Sequence, residues 1–141
     1  MIILDTDHMV VLKYAQGPNY QSLMAKLGDS PDQDFATTCI SLEEQLRGWL
    51  ALIHRTPDVH RQVSAYNELN KLVDYFARWT RLPFDDRAAE QFKQFRTQKI
   101  RVGTMDLKIA SIALVYSARL LSANLRDYQQ IPDLVVEDWL H

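Results

Sequence analysis

Ile2-Ile3-Leu4 is an unbroken apolar run that stops at an acid, Asp5. A strand with no polar face belongs inside a parallel sheet covered on both sides. The acid that closes it is harder to place. A carboxylate at the end of a buried strand needs a hydrogen-bonding partner or a cation, because burying it alone is costly.

The rest of the chain reads as alternating helices and strands. A short helix is predicted over Met9–Tyr14 before the Gly17-Pro18 break, then a second from Asn19 to about Leu27, stopped at Gly28. Asp29–Gln33 is polar loop, and Phe35–Ile40 has the β-branched and small residues of a second buried strand. Ser41 is expected to open a helix with Leu42, Leu46, Trp49, Leu50 and Ile53 at helical spacing. Asp58 caps the longest helix, whose apolar stripe is Val59, Val63, Tyr66, Leu69, Val73, Phe76 and Ala77. Thr80–Pro83 is β-like, and Asp85 caps a helix that turns Ala88, Phe92 and Phe95 to one side. Thr104 is the expected cap of a helix apolar nearly all round, which must be central. Arg119–Ser122 reads as a strand, Asn124–Asp127 as a turn and Leu134–Val136 as the last strand. The expectation is a single α/β domain over 1–141, a three-layer α/β/α sandwich with a short, mostly parallel sheet.

Composition narrows the chemistry. The single cysteine, Cys39, excludes an internal disulfide and a cysteine-based metal site, and its place before Ile40 in a β-rich run predicts a buried, inert thiol. His8, His54, His60 and His141 are scattered without metal-ligand spacing; His8 could approach a site from the loop after the first strand, but a solvated or helix-start role is the expectation. No apolar run is long enough to cross a bilayer and no leader-like segment opens the chain, so a cytoplasmic location is expected. The net charge of −2 is low for a nucleic-acid enzyme. Acids gathered around a cation would leave the remaining surface slightly positive.

Four acids are expected at one edge. Ligand sites in open parallel sheets form outside the carboxyl ends of the strands. Asp5 closes the first strand, and Glu44 lies in the first turn of the helix leaving the second. Asp106 begins the helix that runs back before the Arg119–Ser122 strand, and Asp127 follows that strand by a few residues. Hard oxygen donors without His or Cys suit Mg²⁺ or Mn²⁺. Apart from Asp5, whose place at the end of a buried strand calls for a partner or a cation, each of these acids also has an ordinary structural role open to it. Asp7 and Asp106 suit helix starts, Glu44 suits a capping box with Ser41, and Asp127 suits a turn. Lys93, Arg96, Lys99 and Arg101 form the best basic strip, either a phosphate contact or a solvated face.

Ile2–Asp7 (IILDTD), Ile40–Gly48 (ISLEEQLRG), Asp106–Ala113 (DLKIASIA) and Leu121–Tyr128 (LSANLRDY) together resemble the PIN-domain nucleases, particularly the VapC-type toxins of bacterial toxin–antitoxin pairs. The resemblance runs through essentially the whole chain. It places the family's four acids on Asp5, Glu44, Asp106 and Asp127, with Gly48 four residues after the glutamate. Ser122-Ala123-Asn124 stands where the family has Thr-x-Asn, keeping a hydroxyl and an amide; Asp7, Ser122 and Asn124 are secondary site residues. The resemblance implies a Mg²⁺- or Mn²⁺-dependent endoribonuclease, often a homodimer, silenced by a cognate antitoxin. Two other functions fit parts of the sequence. One is a catalytically silent RNA- or protein-binding module of the same fold. The other is a haloacid-dehalogenase-type phosphatase, whose Asp-x-Asp strand end matches Asp5-Thr6-Asp7 but whose following Thr or Val is Met9 here.

Overall fold

The computed structural model describes residues 1–141. Its strands are β1 (Ile2–Leu4), β2 (Phe35–Thr38), β3 (Arg81–Leu82), β4 (Arg119–Leu121) and β5 (Val136–Glu137). They form one five-stranded sheet in the order β3-β2-β1-β4-β5, and every pairing is parallel. The first strand is therefore central, as its apolar run requires. The helices are α1 (Thr6–Tyr14), α2 (Pro18–Asp29), α3 (Cys39–His54), α4 (Val59–Ala77), α5 (Asp86–Thr97), α6 (Thr104–Val115) and the single turn α7 (Leu125–Tyr128).

Two apolar layers flank the sheet. Side chains alternate along a strand, so Ile3 enters one layer with Phe95, Leu107, Ile109 and Ile112, whereas Ile2 and Leu4 enter the other with Leu23, Leu72 and Phe76. The expected α/β/α sandwich is what forms. Helix α6 has five apolar residues and Ser111 fully buried, and Ser111 returns its hydroxyl hydrogen to Leu107 O at 2.7 Å.

Several boundaries differ from expectation, each because of a cap. Helix α1 starts at Thr6, three residues before the expected Met9, since Asp5 is its N-cap and accepts from Thr6 N. Strand β2 stops at Thr38, not Ile40, and Thr38 rather than Ser41 caps α3, accepting from Ser41 N at 3.1 Å. Helix α6 is preceded by Gly103 without a side-chain cap, so Thr104 is its first residue and not its cap. Residues 125–128 wind into one helical turn, and β5 sits two residues later than the expected start at Leu134.

The stripe assigned to α4 is corrected more substantially. Val59, Val63, Tyr66 and Val73 are exposed, from 49% to 67%. The buried row is Ala65, Leu72 and Phe76, rotated from the expected one. Helix α4 carries two apolar rows, and β-branched Val and bulky Tyr concealed the one built on small Ala65.

Candidate metal centre

The parallel register builds the site. Leu4 pairs with Leu121, so the next residues, Asp5 and Ser122, lie side by side just beyond the sheet. Asp5 N donates to Leu121 O at 2.9 Å, and Ser122 Oγ donates to Asp5 Oδ2 at 2.7 Å. The other oxygen, Oδ1, takes Thr6 N at 2.7 Å. By alternation Asp5 shares the face of Ile3, the side on which α6 packs. Only 5% of Asp5 is exposed.

Glu44 and Asp106 complete the cluster. Glu44 lies one turn beyond Ile40, a residue that roots α3 in the same layer as Ile3. Its Oε1 accepts from Thr6 Oγ1 at 3.3 Å. Asp106 stands in the first turn of α6 and accepts from Tyr128 Oη at 3.2 Å and from Asn124 Nδ2 at 3.0 Å. One carboxylate oxygen from each of Asp5, Glu44 and Asp106 lies within 4.8 Å of the others.

The three acids hold their protons unusually well. Burial and then the charge of Asp7 push Asp5 up to about 6. Burial, then the charges of Asp5 and Asp106, push Glu44 up to about 7. Asp106 is also raised, chiefly by burial, against hydrogen bonds from Tyr128 and Asn124 that lower it. Three convergent hard oxygen donors that resist ionisation fit a divalent cation, whose charge would relieve both their desolvation and their repulsion.

No family model matches the chain. Over 74 residues the chain is 28% identical to the ribonuclease VapC2 of Rickettsia felis, covering 50% of this chain and 55% of that protein. The match therefore spans about half the length of that relative. Whole-chain likeness comes from solved structures. VapBC2 from Rickettsia felis, bound to a DNA fragment from their promoter, superimposes with a TM-score of 0.69 at 23% identity over 99% of both chains. VapBC-1 from nontypeable Haemophilus influenzae gives 0.71 at 20% identity over 100% of both chains. FitAcB from Neisseria gonorrhoeae gives 0.69 at 20% identity over 100% of this chain and 99% of that one. The chain shares the fold of these solved structures.

Within this fold the fourth acid, Asp127, stands one hydrogen bond away from the cluster. Asn124 Nδ2 links it to Asp106, donating to Asp127 Oδ2 at 3.1 Å and to Asp106 Oδ2 at 3.0 Å. Ser122 and Asn124 are thus the bridges between strand β4 and the acids. Asp7 is occupied by its own bonds: Oδ1 takes His8 N at 2.7 Å, and Oδ2 takes Ala123 N at 2.8 Å. Lys93, Arg96, Lys99 and Arg101 are all exposed near the α5–α6 junction, and Arg96 donates to Thr104 Oγ1 at 2.9 Å, two residues before Asp106.

Two contributors escaped the sequence reading. Thr6 reaches Glu44, and the buried Tyr128 hydroxyl reaches Asp106. His8 stands at a helix start as expected, in the first turn of α1, but it is wholly buried and not solvated. Tyr128 directly follows Asp127, and its hydroxyl was the available signal. The burial of His8 gave none, since a lone histidine does not announce its partners.

Proposed function

We propose that this chain is a Mg²⁺- or Mn²⁺-dependent endoribonuclease, the toxin of a toxin–antitoxin pair. The observation that carries the reading is the convergence of Asp5, Glu44 and Asp106 within 4.8 Å, all three proton-retentive. The name of the VapC2 relative, a ribonuclease, and the toxin–antitoxin complexes among the similar structures support it.

In this reading Asp5, Glu44 and Asp106 hold the cation, and Asp127 joins them through Asn124 or through water. When bound, the cation supplies activation of water and charge stabilisation at the phosphodiester's leaving oxygen. Thr6 and Ser122 aim the carboxylates by donating to Glu44 and Asp5. Tyr128 and Asn124 fix Asp106 from the opposite side. A recess along α3, lined by Glu44, Gln45, Gly48, Trp49, Leu52 and Arg55, offers the nucleotide a place beside the acids. The strip of Lys93, Arg96, Lys99 and Arg101 receives phosphates at the other flank. The exposed apolar row of α4 suits a protein contact, with antitoxin or a second copy.

Incubating purified protein with RNA tests the reading. Cleavage should appear with Mg²⁺ or Mn²⁺ and stop in excess EDTA. Undiminished cleavage in chelator would overturn the metal assignment. RNA binding with no cleavage under any divalent ion would leave a silent binding module of the same fold.

A further inference from the structure

His8 is fully buried between two polar groups far apart in sequence. Its Nε2 faces the backbone N–H of Trp139 at 3.2 Å, and its Nδ1 lies 2.6 Å from Asp7 Oδ1. A neutral imidazole has one donor nitrogen and one acceptor nitrogen. The Trp139 N–H can only donate, so Nε2 is the acceptor and Nδ1 carries the hydrogen, given to Asp7. The carboxylate of Asp138 is the other acid nearby, 4.0 Å from Nε2, and is engaged by Leu140 N and His141.

The bonds continue towards the acids. Asp7 Oδ2 accepts the Ala123 N–H at 2.8 Å, holding the loop after β4. Within that loop Ser122 Oγ accepts Asn124 N at 3.0 Å and donates to Asp5 Oδ2 at 2.7 Å. The longer contact of Ser122 Oγ to Asp7, 3.4 Å, cannot use the same hydrogen. An unbroken series therefore joins the C-terminal segment to Asp5 by way of His8, Asp7 and the 122–124 loop.

We propose that His8 is a positioning residue: by donating to Asp7 it holds the 122–124 loop, and with it Ser122 and Asn124, in the arrangement that aims Asp5 and Asp106. The consequence for metal affinity rests on the proposed function; the consequence for the loop does not. Partners that orient a ligand from behind commonly tune affinity for the ion strongly.

The test compares His8→Leu, which fills the space without polar atoms, with His8→Asn, whose amide can replace the Nδ1 donor. Two quantities are measured alongside the melting temperature: hydrogen exchange of the Ala123 amide in metal-free protein, and Mn²⁺ affinity by calorimetry. His8→Leu should speed Ala123 exchange at least about ten-fold beyond any global destabilisation, and weaken Mn²⁺ binding on the order of ten-fold. His8→Asn should restore most of both. Unchanged Ala123 exchange in folded His8→Leu overturns the proposal, as does equal impairment by Asn and Leu. If His8→Leu does not fold, His8→Gln takes its place, since its longer amide reaches past Asp7 towards Trp139. Should the wild-type protein bind no Mn²⁺, the metal reading fails, and the Ala123 exchange alone decides the role of His8.

Discussion

Glu43 and Glu44 are adjacent acids with opposite fates. Glu43 meets Arg47 across one helical turn at 2.6 Å, a half-exposed surface pair. Glu44 turns towards Thr6, Asp5 and Asp106. The capping-box role that the sequence left open for Glu44 is gone, because Thr38 caps α3 and places Glu44 well inside the helix. Glu44→Gln should therefore abolish most RNA cleavage while leaving the melting temperature unchanged or raised, since a neutral amide binds a cation poorly. Glu43→Gln should stay active and cost less than about 0.5 kcal/mol, as exposed ion pairs do. Cleavage and thermal melts on both variants check this, and an active Glu44→Gln would remove it from the ligand set. Asp5→Asn belongs to the same logic. Asn still caps α1, but the buried charge is gone, so cleavage should vanish while metal-free stability at pH 7 rises by about 1–2 kcal/mol. A stability loss in that variant would mean that Ser122 and Thr6 already stabilise the charge in full.

Helix α3 shows how one cap sets a site. Had Ser41 been the cap, α3 would begin two or three residues later and Glu44 would be spent on its own helix end. Thr38 instead offers its hydroxyl oxygen to Ser41 N, and both hydroxyls are fully buried. Thr38→Ala should cost about 1–2 kcal/mol, the upper range for N-caps because the freed amide is inaccessible to water. Chemical denaturation measures it. Helix α3 also carries Gly48, exposed and with open space where a Cβ would stand. Packing within the chain gives no reason for glycine there. Gly48→Ala should thus stabilise the isolated protein by about 0.5–1 kcal/mol. If the recess beside Glu44 receives RNA, the same methyl should weaken RNA binding, which a binding titration on the stabilised variant would show.

At the scale of the molecule, the acids make the metal-free fold sensitive to pH. Folding raises Asp5 from 3.8 to about 6 and Glu44 from 4.5 to about 7, so the folded chain retains protons the unfolded chain has released. Between about pH 4 and pH 7 stability should therefore fall as pH rises. Asp32, Asp85 and Asp138, held below the usual carboxylate range by hydrogen bonds, act in the opposite sense, but the unfolded chain loses their protons around pH 4, so they weigh only at the foot of that window. Saturating Mg²⁺ should flatten the fall, because a bound cation stabilises the ionised acids. Melting curves with and without Mg²⁺ across this range would check it, and a metal-free stability that climbs towards pH 7 would contradict the raised pKa values. The basic strip acts at the same scale. Replacing Lys93 and Lys99 should weaken binding of unrelated RNAs alike and reduce the salt slope by about 0.7 for each lost phosphate contact. An unchanged slope would return the strip to a solvated face.

What the sequence determined alone was the architecture and the edge where the chemistry gathers. Periodicity and burial are properties of local runs, so Ile2-Ile3-Leu4 and the all-apolar α6 implied a covered parallel sheet, and sheet topology then sent Asp5, Glu44 and Asp106 to one side. Only the tertiary structure decided the roles among nearly equal candidates. The β1–β4 register set Ser122 beside Asp5, the Thr38 cap freed Glu44, and the β4–α7 turn held Asp127 one bond back behind Asn124. The same packing chose the inward row of α4 and buried His8 against Trp139, a residue distant in sequence. Hydrogen bonds are satisfied over about 3 Å in space rather than over intervals of sequence, so a residue's composition and neighbours leave its partner undetermined until the strands are in register.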